Sequence, residues 1–384
     1  MNFTLRSKRV LSGGEIGPAD IVIKHGVIDE ISAHGSRPVA HDFKEHLIVP
    51  GFVDLHSDAV EKEIEPRPGA LFAIDSALVE LDKRLAMAGI TTMFHAVSFN
   101  DEAVSGNRAT AMAAQVIKGI YEANRNHLGV DNLVHIRFEI TSFGSVQVIK
   151  ELMEKGCAEL FSVMDHTPGQ GQFKSIESWK KYHLPVYKLS NGYADDVIRK
   201  KIDDQGRSYE VVRDILAFAA AHDLVTLSHD DDTVEKIDFL KKLGVTVAEF
   251  PLAVDVAVHA RKNGVATGMG APNVVRGQSQ SGNVSARELI MADGCDFLCS
   301  DYHPGSMLQA PYVLARELGL ELGRCFELVS TTPALLAGLT DRGEIGVGKV
   351  ADMAIIDDSS IPKVVVTLKE GVAVYNGIGN LCGG

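Results

Sequence analysis

Eight short, nearly unbroken apolar runs constrain this chain more than any other feature. They are Ile48–Leu55, Ile90–Val97, Leu133–Ile140, Leu160–Met164, Leu224–Leu227, Val245–Phe250, Val265–Met269 and Phe297–Cys299, separated by longer stretches of helical character. Runs of strand length without polar alternation predict strands buried on both faces, as in a parallel sheet covered by helices. A count near eight suits an α/β fold of the (β/α)8 TIM-barrel type. A doubly wound sheet competes, but no G-x-G-x-x-G follows a strand, so its dinucleotide-binding version has no support.

Both ends of the chain are different in character. Phe3–Leu11 and Asp20–Ser32 are rich in Val, Ile and Leu and are broken by Gly13-Gly14, Gly17-Pro18 and Gly26. Ile21–Ile23, His25-Gly26 and Val27–Ile31 have the pattern of a hairpin. Asp352–Asp357, Lys363–Thr367 and Val372–Tyr375, with a turn at Gly371, repeat that pattern near the other end. Either set alone would leave unpaired edges, so the two are expected to pair into one small β domain. The expected division is 1–50 and 344–384 for that domain and 51–343 for the barrel.

Composition excludes several classes of function. The chain has 38 basic and 51 acidic residues, a net charge of −13. Such an acidic surface opposes non-specific binding to nucleic acid or anionic lipid. No uncharged apolar run approaches the ~20 residues that span a bilayer, and the N-terminus lacks the apolar core of a signal peptide. Five cysteines, an odd number in a long chain, do not form a disulfide framework. The expectation is a cytoplasmic protein that binds neither nucleic acid nor membrane.

Chemistry-bearing residues gather where the apolar runs stop. In a barrel these strand ends form the active-site face. One run leads to Leu55-His56-Ser57-Asp58, another to Arg137-Phe138-Glu139, and others to Met164-Asp165-His166, Ser228-His229-Asp230 and Cys299-Ser300-Asp301. A lone histidine at a strand end is more often a hydrogen-bonded core residue, Glu139 alone could pair with Arg137, and Asp301 alone could cap a helix. Ligand types at five separate strand ends are harder to assign to chance. His56, Asp58, Glu139, His166, His229 and Asp301 are therefore expected to hold two divalent metal ions, zinc first, with manganese, iron or nickel also compatible. Two such ions can generate a nucleophile from water at neutral pH.

The order of these motifs resembles the amidohydrolase superfamily. Val49-Pro50-Gly51-Phe52-Val53-Asp54-Leu55-His56 is similar to that superfamily's entry into the barrel, and Glu344–Asp352 to its return to the β domain. Asp58 replaces the usual second histidine of the first strand. Within the superfamily, several stretches resemble PhnM, the family of α-D-ribose 1-methylphosphonate 5-triphosphate diphosphatases. They are His56-Ser57-Asp58 with Glu65–Gly69, Met164–Gln170, Ser228–Thr233, Met269–Gly277 and Ser281–Glu288. Gln280 stands where that family's stretch has a histidine.

The resemblance implies a two-metal hydrolase of phosphonate catabolism that releases pyrophosphate from a ribose triphosphate, with Asp301 accepting the proton of the attacking water. Its small, anionic substrate requires local positive charge against the global −13. Lys62, Arg67, Lys188, Arg276 and Arg287 follow strand-type runs, and arginine can grip phosphate oxygens bidentately. Asn273, Ser281 and Asn283 are further expected contacts in the same loop region. A solvated surface charge is the plain alternative for each cation. Competing functions are hydrolysis of a cyclic amide, N-acyl amino acid or nucleobase, and a non-enzymatic assembly subunit with the same barrel. A homo-oligomer, a dimer, is the expected assembly.

Overall fold

A computed structural model describes residues 2–67, 69–101, 109–125, 128–187, 191–279 and 282–378. Strands β1 (Asn2–Ser12), β2 (Glu15–Lys24), β3 (Val27–Ala33), β4 (His41–Asp42) and β5 (Leu47–Pro50) come first. Eight barrel strands follow: β6 (Phe52–Ser57), β7 (Ile90–Phe99), β8 (Asp131–Glu139), β9 (Leu160–Met164), β10 (Val225–His229), β11 (Val247–Glu249), β12 (Ala266–Gly270) and β13 (Phe297–Cys299). The last three are β14 (Met353–Asp357), β15 (Lys363–Lys369) and β16 (Val372–Asn376).

β6 to β13 pair in parallel and in sequence order. A parallel bridge between Ser57 and Asp301 brings the first and last strands together. The backbone N–H of Asp58 donates to the Asp301 carbonyl at 2.6 Å, and that of Asp301 to the His56 carbonyl at 3.0 Å. The chain is thus an α/β barrel, with helices packed around it over an apolar layer that includes Leu81, Ile117, Ile149 and Leu216. Val53, Leu55, Phe94, Leu160, Leu227, Val247 and Phe297 fill the barrel interior. A Cβ on Gly268 would lie 2.1 Å from the Phe297 ring, so only glycine lets that ring cross the interior.

The second sheet has the order β16-β15-β14-β5-β1-β2-β3, with β4 beside β1, so it draws strands from both ends of the chain. Ile21, Ile23, Ile48, Ile355 and Val366 build its core. The apolar run Ile48–Leu55, continuous in the sequence, divides between two sheets: Leu47–Pro50 pairs with β1 and β14, whereas Phe52–Ser57 enters the barrel. Gly51 makes the passage, because a Cβ there would lie 2.3 Å from the Thr91 side chain. β2 also runs through Gly17-Pro18, which the sequence suggests as a break. The last β2–β3 pair is Ala19 with Ala33, and β1 bulges opposite Pro18, so no ladder bond is lost to the missing N–H.

The longest connection between barrel strands lies between Met164 and Val225 and carries helices Ile176–Tyr187 and Asn191–Ala220. These helices have a small core of their own, in which Trp179 is fully buried beside Phe173, Ala194, Val197 and Ile198. Among the described residues, no helix is long and apolar enough to cross a membrane.

Candidate active site

The strand ends open into a cavity of about 440 Å³. Its floor includes His56, Asp58, Arg137, His166, His229, Asp230 and Asp301. Alternation along β8 turns His135, Arg137 and Glu139 to one side, toward the barrel axis. On β6 simple alternation would separate His56 from Leu55's inward neighbours. A register shift between Asp54 and Ser57 relieves the conflict, and the Asp54 carboxylate accepts from the backbone N–H groups of His56 and Ser300 at 3.2 and 3.0 Å. Asp230, Phe250 and Asp301, each just beyond a strand, have φ of 55°, 54° and 54°. Aspartate tolerates this left-handed region, but an aromatic residue is strained there. The strained Phe250 ring packs 5.2 Å from the His56 ring and 5.0 Å from that of His229, centroid to centroid.

All six expected metal ligands lie at the cavity floor or directly beneath it, with different partners. His56 Nδ1 is 3.0 Å from Glu249 Oε1 and its Nε2 is 3.7 Å from Asp58 Oδ1. Burial opposes charge on His56, but Glu249 and then Asp58 outweigh it and carry the imidazole up to about 10. His166 Nδ1 is 2.8 Å from Glu139 Oε2, and its Nε2 is 3.6 Å from Asp230 Oδ2. Burial is again overcome, and these carboxylates raise His166 to about 9. Glu139, fully buried, also accepts from Lys201 Nζ at 2.9 Å. Lys201 and His166 hold it well below the usual carboxylate range despite burial. Burial lowers His229. Burial and then Asp58 push Asp301 up to about 7 against the pull of His56, Arg137 and Lys62.

This donor set fits a cation. His56, His229 and Glu249 offer ligand atoms all within 4.8 Å of one another, as do His166, His229 and Asp230. Glu249 Oε2 and His135 Nε2 are buried without a hydrogen-bond partner and lie 3.9 Å apart. Such an arrangement is costly unless a cation or proton completes it. Both trios contain His229, while Asp58 and Asp301 flank them and Glu139 is engaged by His166 and Lys201. Glu249 and Asp230 are additions to the expected set. Glu249 had a signal, since it is a carboxylate next to the end of the apolar run Val245–Phe250, and it closes strand β11. Asp230 follows His229 directly.

The expected phosphate contacts divide. Lys62, Asn273, Arg276 and Asn283 line the cavity. Tyr302, next to Asp301 and absent from the expected set, joins two of them: Lys62 Nζ lies 4.7 Å from its ring centroid, and Arg276 Nη1 is 3.4 Å from its hydroxyl. Asn273 is also a structural tie, its Oδ1 accepting from the Ala286 N–H at 3.0 Å. Arg67 is exposed beside the bridge to Ala70 and is not part of the cavity wall. Nor is Arg287, which donates to the Val274 carbonyl at 2.8 Å and pairs with Glu317. Its backbone N–H is drawn to the Ser285 hydroxyl at the start of helix Ala286–Met291, which fixes the side chain against the neighbouring helices. Lys188 and Ser281 lie outside the described residues.

No family model matches the chain. It is 31% identical over 356 residues, 91% of its length and 94% of the other protein's, to an α-D-ribose 1-methylphosphonate 5-triphosphate diphosphatase of Escherichia coli (strain K12). Among solved structures it is similar to N-acetyl-D-glucosamine-6-phosphate deacetylase from Mycobacterium smegmatis, with a TM-score of 0.65 at 13% identity over 98% of this chain and 100% of that one. It is likewise similar to N-isopropylammelide isopropylaminohydrolase from Burkholderia multivorans, with a TM-score of 0.64 at 15% identity over 98% and 99%. These likenesses carry the fold, and the curated relative carries the family. The chain belongs to the family of the α-D-ribose 1-methylphosphonate 5-triphosphate diphosphatases, which are hydrolases.

Proposed function

We propose that this protein cleaves a phosphoanhydride bond of α-D-ribose 1-methylphosphonate 5-triphosphate, releasing pyrophosphate, in a divalent-metal-dependent reaction. The observation that carries the reading is the layering of one cavity: an imidazole and carboxylate floor lies beneath a rim of Lys62, Arg276 and Tyr302. The 31% identity to the Escherichia coli diphosphatase supports the choice of substrate class.

His56, His229 and Glu249, and His166 with Asp230, are the residues that would hold divalent metal. The expectation of two ions, zinc among them, is open to elemental analysis. A bound divalent cation supplies Lewis acidity and neutralises phosphate charge. The protein's own groups do the rest. Arg276 and Lys62 meet phosphate oxygens at the rim, and the Tyr302 hydroxyl and ring hold both cations in place. Asp301, buried at the floor beside Asp58, takes the proton of the attacking water on a carboxylate oxygen. Burial and Asp58 place it at about 7 in the protein alone, and a nearby cation would pull it lower, toward a base ionised at neutral pH. Phe173 and Tyr182, from the helical connection, narrow the cavity on one side.

The test is a pyrophosphate-release assay on metal-reconstituted protein, with the ribose triphosphate set against a cyclic amide, an N-acyl amino acid and an N-acetylated sugar phosphate. Pyrophosphate from the first substrate alone is expected. Turnover of an amide with none of the ribose triphosphate would overturn the reading.

A further inference from the structure

Arg137 reaches the centre of the floor from β8, and its side chain is only 8% exposed. Its Nη1 donates to Asp58 Oδ1 at 3.0 Å, and its Nη2 lies 3.2 Å from His229 Nε2. A guanidinium has donors and no acceptor, so His229 must turn the lone pair of Nε2 toward it. The N–H of His229 then falls on the other ring nitrogen, Nδ1, which lies 3.2 Å from the Asp230 carboxylate without hydrogen-bonding geometry. Coordination of a metal would use the same Nε2 lone pair at a distance of about 2 Å. A guanidinium hydrogen bond and a metal bond cannot share one lone pair. Asp58, the carboxylate that the first strand places beside His56, is engaged by the same arginine.

The surroundings explain why a cation is needed there even without metal. Asp58, Glu139, Asp230, Glu249 and Asp301 converge on the floor, and Arg137 and Lys201 are cations among them. Buried carboxylates without compensating charge are strongly unfavourable. Lys201 serves Glu139, on the side of His166. Arg137 serves the side of His56 and His229.

We infer that Arg137 is an internal stand-in for the metal: in the metal-free protein its guanidinium occupies the ligand positions at His229 and Asp58, and metal entry displaces it. The inference rests on the metal-dependent reading above. It makes the ligands a preassembled set whose affinity for metal is held down by a tethered competitor. Arg137 is a positioning residue in this role, acting through His229 and Asp58.

The experiment strips the protein with a chelator and compares wild type, Arg137→Met and Arg137→Lys. Affinity for Zn2+ alone is measured by competition with a chromophoric chelator, and the Tm of each protein is recorded stripped and loaded. Arg137→Met is expected to bind Zn2+ more tightly by roughly ten-fold or more, the scale of one lost charge-assisted hydrogen bond. Its stripped Tm should fall below wild type, and loading should close most of the gap. Arg137→Lys, which retains charge but cannot span Asp58 and His229 together, should bind Zn2+ with intermediate affinity, and it serves if the Met variant does not fold. Variants that bind Zn2+ no tighter than a wild type that does bind it would overturn this inference and leave the proposed function standing. A wild type that binds no divalent cation would overturn both.

Discussion

Lys201, on the long helix between β9 and β10, donates a 2.9 Å hydrogen bond to Glu139 at the end of β8. The ammonium also donates to the Thr141 hydroxyl at 2.8 Å, and its side chain is 3% exposed. Trp179, from the other helix of the same connection, donates from Nε1 to the His166 carbonyl at 3.0 Å. The two helices of this connection therefore hold the side of the floor carrying Glu139 and His166.

Lys201→Met should be strongly destabilising. It leaves a fully buried Glu139 with one cationic partner fewer, a change that costs on the order of 3 kcal/mol when a buried pair is broken. Urea denaturation of the metal-free protein measures it, and a loss below about 0.5 kcal/mol would show that Glu139 does not depend on Lys201.

Arg276→Ala should reduce kcat/KM for the ribose triphosphate by roughly 10- to 150-fold, the range for a hydrogen bond to a charged group. Arg276→Lys should recover part of this, because a point charge replaces a planar fork. Tyr302→Phe, which keeps the ring under Lys62 and removes the hydroxyl near Arg276, should have a smaller effect than Arg276→Ala. Metal content should stay unchanged in all three, as elemental analysis would report.

His229 is common to both ligand trios, whereas Glu249 and His166 each belong to one. His229→Asn should therefore lower the metal content of the purified protein more than Glu249→Gln or His166→Asn. Loss of a ligand should weaken binding at least as much as the roughly 10- to 100-fold typical of outer-shell changes. Equal metal content in the three variants would place the cation elsewhere.

A pH dependence should arise away from the site. His95 is fully buried, its Nε2 is 2.7 Å from Asn132 Oδ1, and burial pushes its imidazole down to about 4 from 6.5. The folded protein thus binds this proton more weakly than the unfolded chain does. The stability it contributes is complete above about pH 6.5 and declines as pH falls toward 4. Each pKa unit corresponds to about 1.4 kcal/mol, so the whole effect is on the order of 3 kcal/mol. His95→Gln should flatten the pH–stability curve over this window, read as the difference from wild type in urea denaturation at successive pH values.

Gly268→Ala places a Cβ 2.1 Å from the Phe297 ring in the barrel interior. Overpacking of this kind costs about 1–3 kcal/mol and more where the ring cannot move. The double variant with Phe297→Leu should regain part of the loss, and a double-mutant cycle measures the coupling. Additive effects would mean that the two positions do not meet.

The barrel and the pairing of the two chain ends were legible because both follow from patterns repeated along the sequence. Apolar runs such as Ile90–Val97 and Leu133–Ile140 coincide with β7 and β8, and the hairpin at His25-Gly26 joins β2 to β3. Glu249 and Asp230 obey the rule that singled out His56 and His229, so their signal was present. Lys201 carried none, since Arg199-Lys200-Lys201 reads as any solvated helix face and only tertiary packing buries one of the three. Arg67 and Arg287 show the opposite case. Charge and a place after a strand do not distinguish an arginine facing a ligand from one facing Glu317 or solvent.

Placing β5 between β1 and β14 has a consequence for how the chain is made. Pro50 and Met353 close the two halves of one sheet, yet about 300 residues separate them. At a synthesis rate of roughly 5–20 residues per second, the N-terminal strands wait about 15–60 s for the strand that covers β5. During that interval Leu47–Pro50 presents an open, apolar edge to the nascent chain's surroundings. A barrel that closes during synthesis does so while this edge is exposed, so a chain truncated before Met353 should be captured by chaperones or aggregate, even with every residue of the active site already translated.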